Sequence, residues 1–557
     1  MNQKNLGNIA AVLLCITILL FVVIEFILNL TPPISRDALI HHLAVPKLWL
    51  KHGGFYETPW ANYSYYPMYI NLLYLACLYF KNDIVPKFVH LAFGLGTGVL
   101  IYIYLKQKLD RNWGLLGMVI FLTTPIVVWL STSAYIDLGM TFFTTASILA
   151  LVRWRELEYR HTGWLLISAF CMGIAVGSKY NALIAWFIVN LLLVIIYVRE
   201  TKHQTAAVKY GLMFFAITAL VASPWYMKNY LLTGNPFHPM FHSAFKSLQQ
   251  QPIQKVLQSQ AARETGKIGF FQMRKIMYGE NFWETLLIPI RMFFQGEDNS
   301  YRYFQGVLNP ILIIFSPFII LNRRFHHDKI LFVLFSVIFI FMAYFLTEKQ
   351  VRYILPTIPF LTILAVVGIK NLSDMLRAER FFPSYKYTGR VAGTLLLGVV
   401  VLLLSLNAVY LKNRIAAVNP FPFVFGEETR DDYLSRHLLH YPAVRYINQH
   451  LPDNASLFLM LLGRRGYYLE RSYKSEPSFG RNTLNRMVFS SVSEKRFKGY
   501  VRSIGATHIF MRSELVDRHL RDNFSQEEIK RFMTLTRKLW KPLFEYNGHA
   551  VWAVQGK

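Results

Sequence analysis

The sequence predicts a polytopic α-helical membrane protein that ends in a small soluble α/β domain. Of its 557 residues, 54% are hydrophobic and only 16% are charged, a balance that soluble domains do not have. Apolar stretches long enough to cross a bilayer recur as far as about residue 411. Beyond that point charged residues, Gly and Pro replace the long apolar stretches.

About eleven apolar segments approach the roughly 20 residues that a transmembrane helix needs. In chain order they are 9–30, 84–105, 113–130, 135–152, 162–177, 182–198, 207–225, 304–321, 330–346, 353–369 and 391–410. The first is too long for the apolar part of a signal peptide, and no small-residue cleavage site follows it, so we interpret it as a retained anchor. The shorter apolar run 67–80 is expected to be interfacial or re-entrant.

Basic residues predict the orientation. If 67–80 does not cross, the Lys and Arg clusters all fall on the side of the N-terminus; they are 106–108, 153–155, 199–202, 322–324 and 377–380. Because such clusters stay inside, the N-terminus is expected in the cytoplasm and the protein in the inner (cytoplasmic) membrane. The outer loops 31–81 and 228–303 and the C-terminal domain are then extracytoplasmic, and so is the working face.

We predict a transmembrane catalytic unit over 1–411 and a soluble α/β domain over 412–557. In the second unit the periodicity predicts helices at 436–450 and 526–539. It predicts strands at 456–462, 507–512, 542–546 and 550–555. Pro420 and Pro422 predict an extended linker between the two units.

The formal net charge of +27 does not indicate a nucleic-acid-binding protein. The basic residues lie in short loops between apolar runs, where they act as orientation signals and as partners for anionic membrane lipids. Cys15, Cys77 and Cys171 all lie within apolar runs. They therefore imply neither a disulfide framework nor a zinc site.

Two acidic residues are the candidate catalytic groups, because each lies at the outer end of a predicted span. Asp37 follows the first span, and Asp137 opens the fourth. Ionisable groups at membrane depth are costly and mark functional sites. A carboxylate at the membrane surface can act as a general base toward a lipid-borne substrate. For Asp137 a helix N-cap or a favourable charge in the first helical turn is the alternative.

Three basic residues sit at the outward ends of spans, each close to a Tyr: Lys179, Lys228 and Arg352. Such residues suit phosphate and sugar binding, and their placement on one face predicts a phosphate pocket. For any single one, snorkelling toward the interface within an aromatic belt is the alternative. We add Lys47, Tyr65, Tyr180 and Tyr353 as predicted substrate-binding residues.

His41 and His42 lie one helical turn beyond Asp37 and are also predicted to contact substrate. They can assist Asp37 or hold a metal ion, although the neighbouring sequence does not complete a ligand set. Surface solvation or a helix contact is the alternative for this pair. No cofactor is certain from the sequence, and a divalent metal is left open.

At these residues the chain resembles the GT-C glycosyltransferases, in the branch similar to dolichyl-phosphate-mannose protein mannosyltransferases and lipid A aminoarabinose transferases. The resembling segments are 37–49, 65–67, 133–143, 223–236 and 352–356, with a looser likeness over 441–468. The resemblance implies a polyprenyl-phosphate sugar donor, Asp37 as catalytic base, Asp137 as a second acidic motif and Arg352 as a donor-phosphate ligand. The family's first motif is often Asp-Glu, whereas Ala38 follows Asp37 here.

The predicted function is therefore transfer of a sugar, hexosyl or pentosyl, from a polyprenyl phosphate to an acceptor hydroxyl during cell-envelope glycan biosynthesis. Asp37 would deprotonate the hydroxyl of a glycan, lipid or protein acceptor, and cations would stabilise the departing phosphate. A single displacement of this kind inverts the anomeric carbon. The alternatives are a flippase or transporter of a lipid-linked saccharide, and an inactive scaffold.

Overall fold

The structure is a computed structural model, and it describes residues 3–241, 245, 269–322, 326–377, 388–476 and 482–554. Helices dominate the N-terminal part. The first ten are α1 (Gln3–Asn29), α2 (Ala44–His52), α3 (Tyr69–Tyr79), α4 (Val85–Lys108), α5 (Arg111–Thr123), α6 (Pro125–Ser131), α7 (Asp137–Glu156), α8 (Gly163–Val176), α9 (Ala182–Thr201) and α10 (Gln204–Thr233). A π-helix (Ala38–His42) precedes α2, and a 3₁₀ helix (Asn62–Tyr65) precedes α3.

The membrane unit continues after residue 269. Its further helices are α11 (Phe270–Tyr278), α12 (Phe282–Leu286), α13 (Ile288–Arg291), α14 (Ile311–Ile314), α15 (His326–Leu346), α16 (Ile358–Arg377) and α17 (Thr388–Val418). Two 3₁₀ helices, Ser316–Leu321 and Val351–Thr357, lie before α15 and α16. Among the described residues, seven helices are long and apolar enough to cross a membrane, and an eighth span arises if α5 and α6 count together. The predicted polytopic helical fold is confirmed, whereas the number of eleven spans is not.

Two of the predicted spans are not continuous helices. The segment 113–130 bends by 67° between α5 and α6, because Pro125 cannot donate a backbone hydrogen bond and disfavours helical geometry at Thr124. The segment 304–321 contains only α14 and a 3₁₀ turn, with Pro310 and Pro317 beside them. The short apolar run 67–80 forms α3, whose 11 residues are about 16 Å long and cannot cross the bilayer.

Helix α7 is central to the membrane unit and packs against α4 and α8, while α8 packs on α10 and α4 packs on α5. Many of its buried residues are small or polar, so that neighbouring helices approach closely; they are Gly139, Thr141, Thr144, Thr145, Ser147 and Ala150. With 20 residues it is about 30 Å long. Its two ends, at Asp137 and Glu156, therefore lie on opposite sides of the helical bundle.

The C-terminal unit combines helices with one mixed sheet. It begins with α18 (Phe421–Val424), α19 (Arg430–His437) and α20 (Tyr441–His450). The strands are β1 (Ser456–Met460), β2 (Ser472–Ser475), β3 (His508–Arg512), β4 (Trp540–Tyr546) and β5 (His549–Val554), in spatial order β2-β1-β3-β5-β4. Strand β1 is parallel to both β2 and β3, and β5 is antiparallel to β3 and β4. Helices α21 (Asn482–Ser490), α22 (Glu494–Ile504), α23 (Ser513–Asn523) and α24 (Gln526–Leu539) complete the unit.

The structure corrects two expectations for this unit. The extended linker is wrong: α17 continues past residue 411 to Val418, and α18 follows, since proline is tolerated in a first helical turn. The helix predicted at 436–450 is two helices, with Pro442 in the first turn of α20. The sequence analysis missed β2, α21, α22 and α23, whereas α24 occupies the predicted residues.

Candidate active site

Asp37 lies in the segment that follows α1, and this segment contacts the residues just before the start of α7. Pro32 and Pro33 prevent the helix from continuing. The Ser35 hydroxyl donates to the Ser133 hydroxyl at 3.0 Å, and the Asp37 backbone N–H donates to the Tyr135 hydroxyl at 3.3 Å. Asp37 then precedes the π-helix, a helix type that occurs frequently at functional sites.

Asp137 opens α7, and His90 of α4 fixes the turn before it. The buried His90 ring accepts from the Leu138 N–H through Nε2 at 2.9 Å. Its Nδ1 donates to the carbonyls of Leu130 and Ser133 at 2.8 and 2.9 Å. The side chain therefore connects the end of α6 to the start of α7 and sets the position of the Asp137 carboxylate.

Lys179 lies in the turn between α8 and α9 and pairs with Asp137. Its Nζ is 2.5 Å from Asp137 Oδ1. The turn depends on Gly177, because a Cβ there would lie 2.2 Å from the Tyr69 ring, while the Tyr69 N–H donates to the Gly177 carbonyl at 3.0 Å. Close approach of two chain segments thus places Lys179 over the start of α7.

Arg352 pairs with Asp37 from the 3₁₀ helix before α16. One guanidinium N–H donates to Asp37 Oδ2, and Nε donates to Gln350 Oε1 at 2.8 Å. The guanidinium also lies 5.6 Å from the Tyr135 ring centroid and 5.2 Å from that of Tyr353. The Tyr353 ring is also 5.2 Å from Lys179 Nζ. The structure therefore brings Asp37, Asp137, Lys179, Arg352 and Tyr353 into one charge cluster.

The two carboxylates differ in accessibility. The Asp137 side chain is fully buried, and in the described part of the chain its Oδ2 has no hydrogen-bond partner. The Asp37 side chain is 18% exposed. The Asp37 carboxylate is therefore partly open to solvent, whereas the Asp137 carboxylate is closed off and contacts Lys179.

Electrostatics keep Asp37 ionised. Burial favours the neutral acid, but the positive charge of Arg352 and its hydrogen bond outweigh this effect and hold the Asp37 pKa well below its ordinary value. Burial has the opposite effect on His41 and lowers its pKa to about 4. At neutral pH this site therefore contains a carboxylate beside an uncharged imidazole.

His41 and His42 lie side by side in the π-helix, with ring centroids 3.9 Å apart. The His41 ring stacks on Tyr63 with ring centroids 4.6 Å apart, and its buried Nδ1 has no hydrogen-bond partner among the described residues. Asn71 donates to the His42 carbonyl at 3.0 Å and lies 3.2 Å from its Nδ1. The His42 ring also lies 5.6 Å from the Tyr135 ring, so both histidines border the charge cluster, and His42 additionally fastens α3 to the loop.

Tyr65, Tyr180 and Lys228 form a neighbouring polar group. The Asn229 amide donates to the Tyr65 carbonyl at 2.7 Å and to the Tyr180 hydroxyl at 3.1 Å. Lys228 Nζ donates to the Ser64 carbonyl at 2.7 Å. These contacts fix the loop after residue 60 against α10, and the substrate-binding role of the three residues stays a prediction.

Lys47 lies at the junction with the C-terminal unit. Its Nζ is 2.7 Å from Glu470 Oε1 and donates to the Tyr467 carbonyl at 2.8 Å. The Tyr468 hydroxyl donates to the Pro33 carbonyl at 2.7 Å, close to Asp37 in the sequence. The C-terminal unit is therefore fastened to the loop that carries the candidate base, and substrate binding by Lys47 stays a prediction.

Sequence reasoning missed several residues of this site: His90, Tyr135, Arg464 and Arg465. Tyr135 and His90 lie within or beside apolar runs, where a histidine inside a predicted span was the available signal. Arg464 and Arg465 belong to the C-terminal unit, and no periodicity connects them with residue 37. Only the tertiary fold reveals that Arg465 acts electrostatically on Asp37 and Tyr135.

The described residues contain no group of three or more His, Cys, Asp or Glu side chains arranged to hold a metal ion. Asp37 and Asp137 also each pair with a cation, so neither is an open metal ligand. The donor set does not fit a metal, and we derive no step through one.

The chain is similar in part of its sequence to one protein family and in its overall fold to solved structures. Residues 63–245 match the family of dolichyl-phosphate-mannose-protein mannosyltransferases. No curated protein matches the sequence. The fold is similar to ArnT from Cupriavidus metallidurans bound to undecaprenyl phosphate, with a TM-score of 0.53, 14% identity and 97% of each chain covered.

A second similar structure is the oligosaccharyltransferase AglB from Archaeoglobus fulgidus, in complex with an inhibitory peptide and a dolichol-phosphate. Its TM-score is 0.50 at 12% identity, covering 90% of this chain and 69% of AglB. The fold is that of a multi-pass helical membrane protein similar in architecture to ArnT and AglB. The chain is therefore similar to the dolichyl-phosphate-mannose-protein mannosyltransferases over residues 63–245, and similar to ArnT and AglB in overall fold.

Proposed function

We propose that this protein transfers a sugar from a polyprenyl phosphate to an acceptor hydroxyl on the extracytoplasmic face of the membrane, with Asp37 as general base. One observation carries the proposal. A partly exposed, ionised carboxylate lies beside two cations, Arg352 and Lys179, in a cluster at one end of the helical bundle. This combines a proton acceptor with groups that stabilise a departing phosphate.

The reaction needs one proton transfer and one displacement. The acceptor hydroxyl oxygen attacks the anomeric carbon. At the same time, a carboxylate oxygen of Asp37 takes the proton from that hydroxyl. The bond from that carbon to the phosphate oxygen breaks, and the electron pair leaves on the polyprenyl phosphate. Attack opposite the leaving group inverts the anomeric carbon.

Arg352 has a double role in this proposal. Without donor it neutralises Asp37, which makes the carboxylate a weak base. A donor phosphate competes for the guanidinium, because Arg binds phosphate oxygens in a two-pronged geometry. When Arg352 turns toward the phosphate, the Asp37 pKa rises and its basicity increases. Donor binding therefore prepares the base.

Lys179 supplies the second positive charge, and buried Asp137 holds it in place. Charge stabilisation is strongest when the cation is already oriented and little reorganisation follows during the reaction. This arrangement supports a positioning role for Asp137 in the acidic pair that we predict as catalytic.

The lipid donor is supported by two similar structures. The ArnT structure contains undecaprenyl phosphate, and the AglB structure contains a dolichol-phosphate. The fold match concerns architecture alone at such low identity, so the donor class for this chain rests on the cationic cluster as well. The hexosyl or pentosyl identity of the sugar is left to experiment.

The orientation proposal rests on the basic loop clusters. The N-terminus would lie in the cytoplasm and the C-terminal unit outside, so that transfer occurs on the outer face. A periplasmic-active reporter fused after Lys412 should give signal. A fusion active only in the cytoplasm would contradict the orientation and leave the chemistry untouched.

The chemical proposal is tested by incubating full-length protein in lipid nanodiscs with a radiolabelled polyprenyl-phosphate sugar and candidate glycan, lipid and protein acceptors. We expect label to move to an acceptor, with free polyprenyl phosphate released in equal amount. In proteoliposomes, movement of the intact donor across the membrane without release would identify a flippase and contradict the proposal.

A further inference from the structure

Gln350 lies directly before the 3₁₀ helix that carries Arg352, and it is only 4% exposed. Its Oε1 accepts from Arg352 Nε at 2.8 Å. Its Nε2 donates to Glu348 Oε2 at 2.5 Å. Glu348 is exposed, whereas Arg352 donates to the Asp37 carboxylate. The Gln350 side chain therefore connects a surface carboxylate to the guanidinium that pairs with the candidate base.

Only a carboxamide suits both neighbours of the Gln350 side chain. The Arg352 Nε–H is a donor and needs an acceptor, while the Glu348 carboxylate is an acceptor and needs a donor. A carboxylate at position 350 would repel that of Glu348 and would also neutralise Arg352. A hydrocarbon side chain would remove the acceptor from Nε. Gln therefore orients the guanidinium without cancelling its positive charge.

The contact at Nε leaves the terminal nitrogens of Arg352 available for other partners. Nη1 donates to Asp37 Oδ2, and no described residue accepts from Nη2. Arg has five N–H donors in a planar group, and a phosphate is bound by two of them in parallel. Anchoring the group at Nε fixes its plane while Nη1 and Nη2 stay free to bind phosphate oxygens.

The backbone around Gln350 is held by contacts that do not involve its side chain. The Val351 N–H donates to the Phe304 carbonyl at 2.8 Å. The Tyr353 N–H donates to the Gln350 carbonyl at 3.0 Å. A Cβ on Gly306 would lie 3.1 Å from Val351 Cβ, so the two segments pack closely. Removing the Gln350 amide should therefore misplace the Arg352 guanidinium without unfolding the segment.

We propose that Gln350 is a positioning residue whose carboxamide holds Arg352 at Nε, so that the terminal nitrogens can pass from Asp37 to the donor phosphate. The proposal rests on the proposed transfer function and names the group that directs Arg352 within it. Among the described residues Gln350 has no hydrogen bond to Asp37, so its effect passes through Arg352.

A double-mutant cycle separates positioning from a merely structural role. The measurement is equilibrium binding of radiolabelled undecaprenyl phosphate to full-length protein in detergent micelles, which does not require sugar transfer. Gln350→Leu should weaken binding about fivefold to fiftyfold, because a charged donor loses its acceptor. In an Arg352→Lys background, which has no Nε, Gln350→Leu should change the affinity less than about twofold. An equal loss in both backgrounds would overturn the proposal.

Gln350→Glu provides a second variant. It keeps an acceptor for Arg352 Nε but adds a carboxylate that neutralises the guanidinium and competes with the phosphate. Its affinity for undecaprenyl phosphate should therefore be at least as weak as that of Gln350→Leu. Parental affinity in both variants would show that position 350 does not direct Arg352.

Gln295→Leu is the matched control. Gln295 is exposed, and its Oε1 accepts from Arg291 Nε at 2.8 Å, which is the same contact outside the charge cluster of Asp37. It should leave the affinity for undecaprenyl phosphate within about twofold of the parental value. A loss as large as that of Gln350→Leu would contradict a specific role for Gln350.

The same variants distinguish this proposal from the transfer function on which it rests. A parent protein that binds undecaprenyl phosphate and shows the expected cycle, but transfers no sugar, would overturn the proposed function and leave the positioning role intact. A parent protein that transfers sugar but shows equal losses in both backgrounds would overturn the positioning role alone.

Discussion

A cluster of charged side chains surrounds each end of α7, and the two clusters differ in burial and in their balance of charge. At its C-terminal end, buried Asp328 contacts Arg155, Lys108 and the Tyr104 hydroxyl, and Lys108 also pairs with Glu156. Asp328 is 1% exposed, whereas Asp37 at the other end is 18% exposed.

The balance of charge also differs between the ends. Around Asp328, the ion pairs of the described residues join Lys108, Arg153 and Arg155 to three carboxylates, those of Glu156, Glu200 and Asp328. Around Asp37, the ion pairs of the described residues join Arg352 and Lys179 to the carboxylates of Asp37 and Asp137, and the cations Arg36 and Arg465 act on the same group of residues without an ion pair of their own among those described. A closed, balanced cluster stabilises helix ends, while an open cluster with surplus positive charge can bind an anionic substrate.

The largest effect should come from breaking the balanced cluster. Asp328→Asn removes a buried carboxylate and leaves two cations without it, which should lower the free energy of unfolding by about 3–5 kcal/mol. Thermal unfolding in detergent measures the loss. Asp374→Asn is the matched control, because that carboxylate is 49% exposed and pairs with Lys370 one helical turn away. It should cost less than about 1 kcal/mol. Equal losses of unfolding free energy in the two variants would show that the buried cluster around Asp328 is no more stabilising than an exposed ion pair.

At the open end, removing a cation should affect rate more than stability. Arg352→Gln should reduce kcat by about a hundredfold to a thousandfold, because a group that stabilises the leaving phosphate is lost. Arg352→Lys keeps the positive charge but lacks the two-pronged guanidinium, so its kcat should fall less. Steady-state transfer kinetics with folded fractions checked by thermal unfolding provide the measurement. A parental kcat in Arg352→Gln would show that Arg352 does not stabilise the leaving phosphate.

Acidification should destabilise the open end through His41. Its folded-state pKa of about 4 lies below the ordinary value of 6.5, so the unfolded chain takes up the proton first as the pH falls. The contribution of His41 is therefore complete above pH 6.5 and is lost as the pH falls toward 4. His41→Phe should remove about 1–3 kcal/mol of the stability change between pH 7 and pH 4.5 while keeping the ring stack on Tyr63. An unchanged pH dependence in this variant would show that His41 is not responsible.

The smallest effect is expected at the junction of the two units. Lys47 and Glu470 are 22% and 53% exposed, so their ion pair is screened by solvent. Lys47→Gln should lower stability by about 1 kcal/mol or less, and the loss should shrink at high salt. It should leave the KM for the donor within about twofold. A much larger rise in KM would support the substrate-binding role predicted from the sequence.

The sequence predicted the parts of the fold that depend on composition and local pattern. The long apolar runs gave the membrane unit, and α24 coincides with its predicted residues because Ser525 and Glu528 form a capping box at its start. The bend at Thr124 and the short β2 were missed, since a proline inside an apolar run and a four-residue polar strand have weak signals.

For the site, single residues were predictable and their partners were not. Asp37, Asp137, Lys179 and Arg352 are charges at span ends, which the membrane makes costly and therefore noticeable in a sequence. Their pairing, Asp37 with Arg352 and Asp137 with Lys179, joins residues up to 315 positions apart. Such contacts depend on how helices pack, and so does the arrival of Arg465 from the C-terminal unit.

The most direct test of the account compares Asp37→Asn with Asp328→Asn for both transfer rate and thermal unfolding in the same nanodiscs. We expect Asp37→Asn to lose at least about a hundredfold in transfer rate, because the proton acceptor is removed. It should unfold closer to the parental temperature than Asp328→Asn, because Asp37 is 18% exposed and pairs with one cation, whereas Asp328 is 1% exposed and pairs with two. Asp328→Asn should unfold at a lower temperature and transfer sugar at nearly the parental rate per folded molecule. Parental transfer by the Asp37→Asn protein would contradict the assignment of Asp37 as the base.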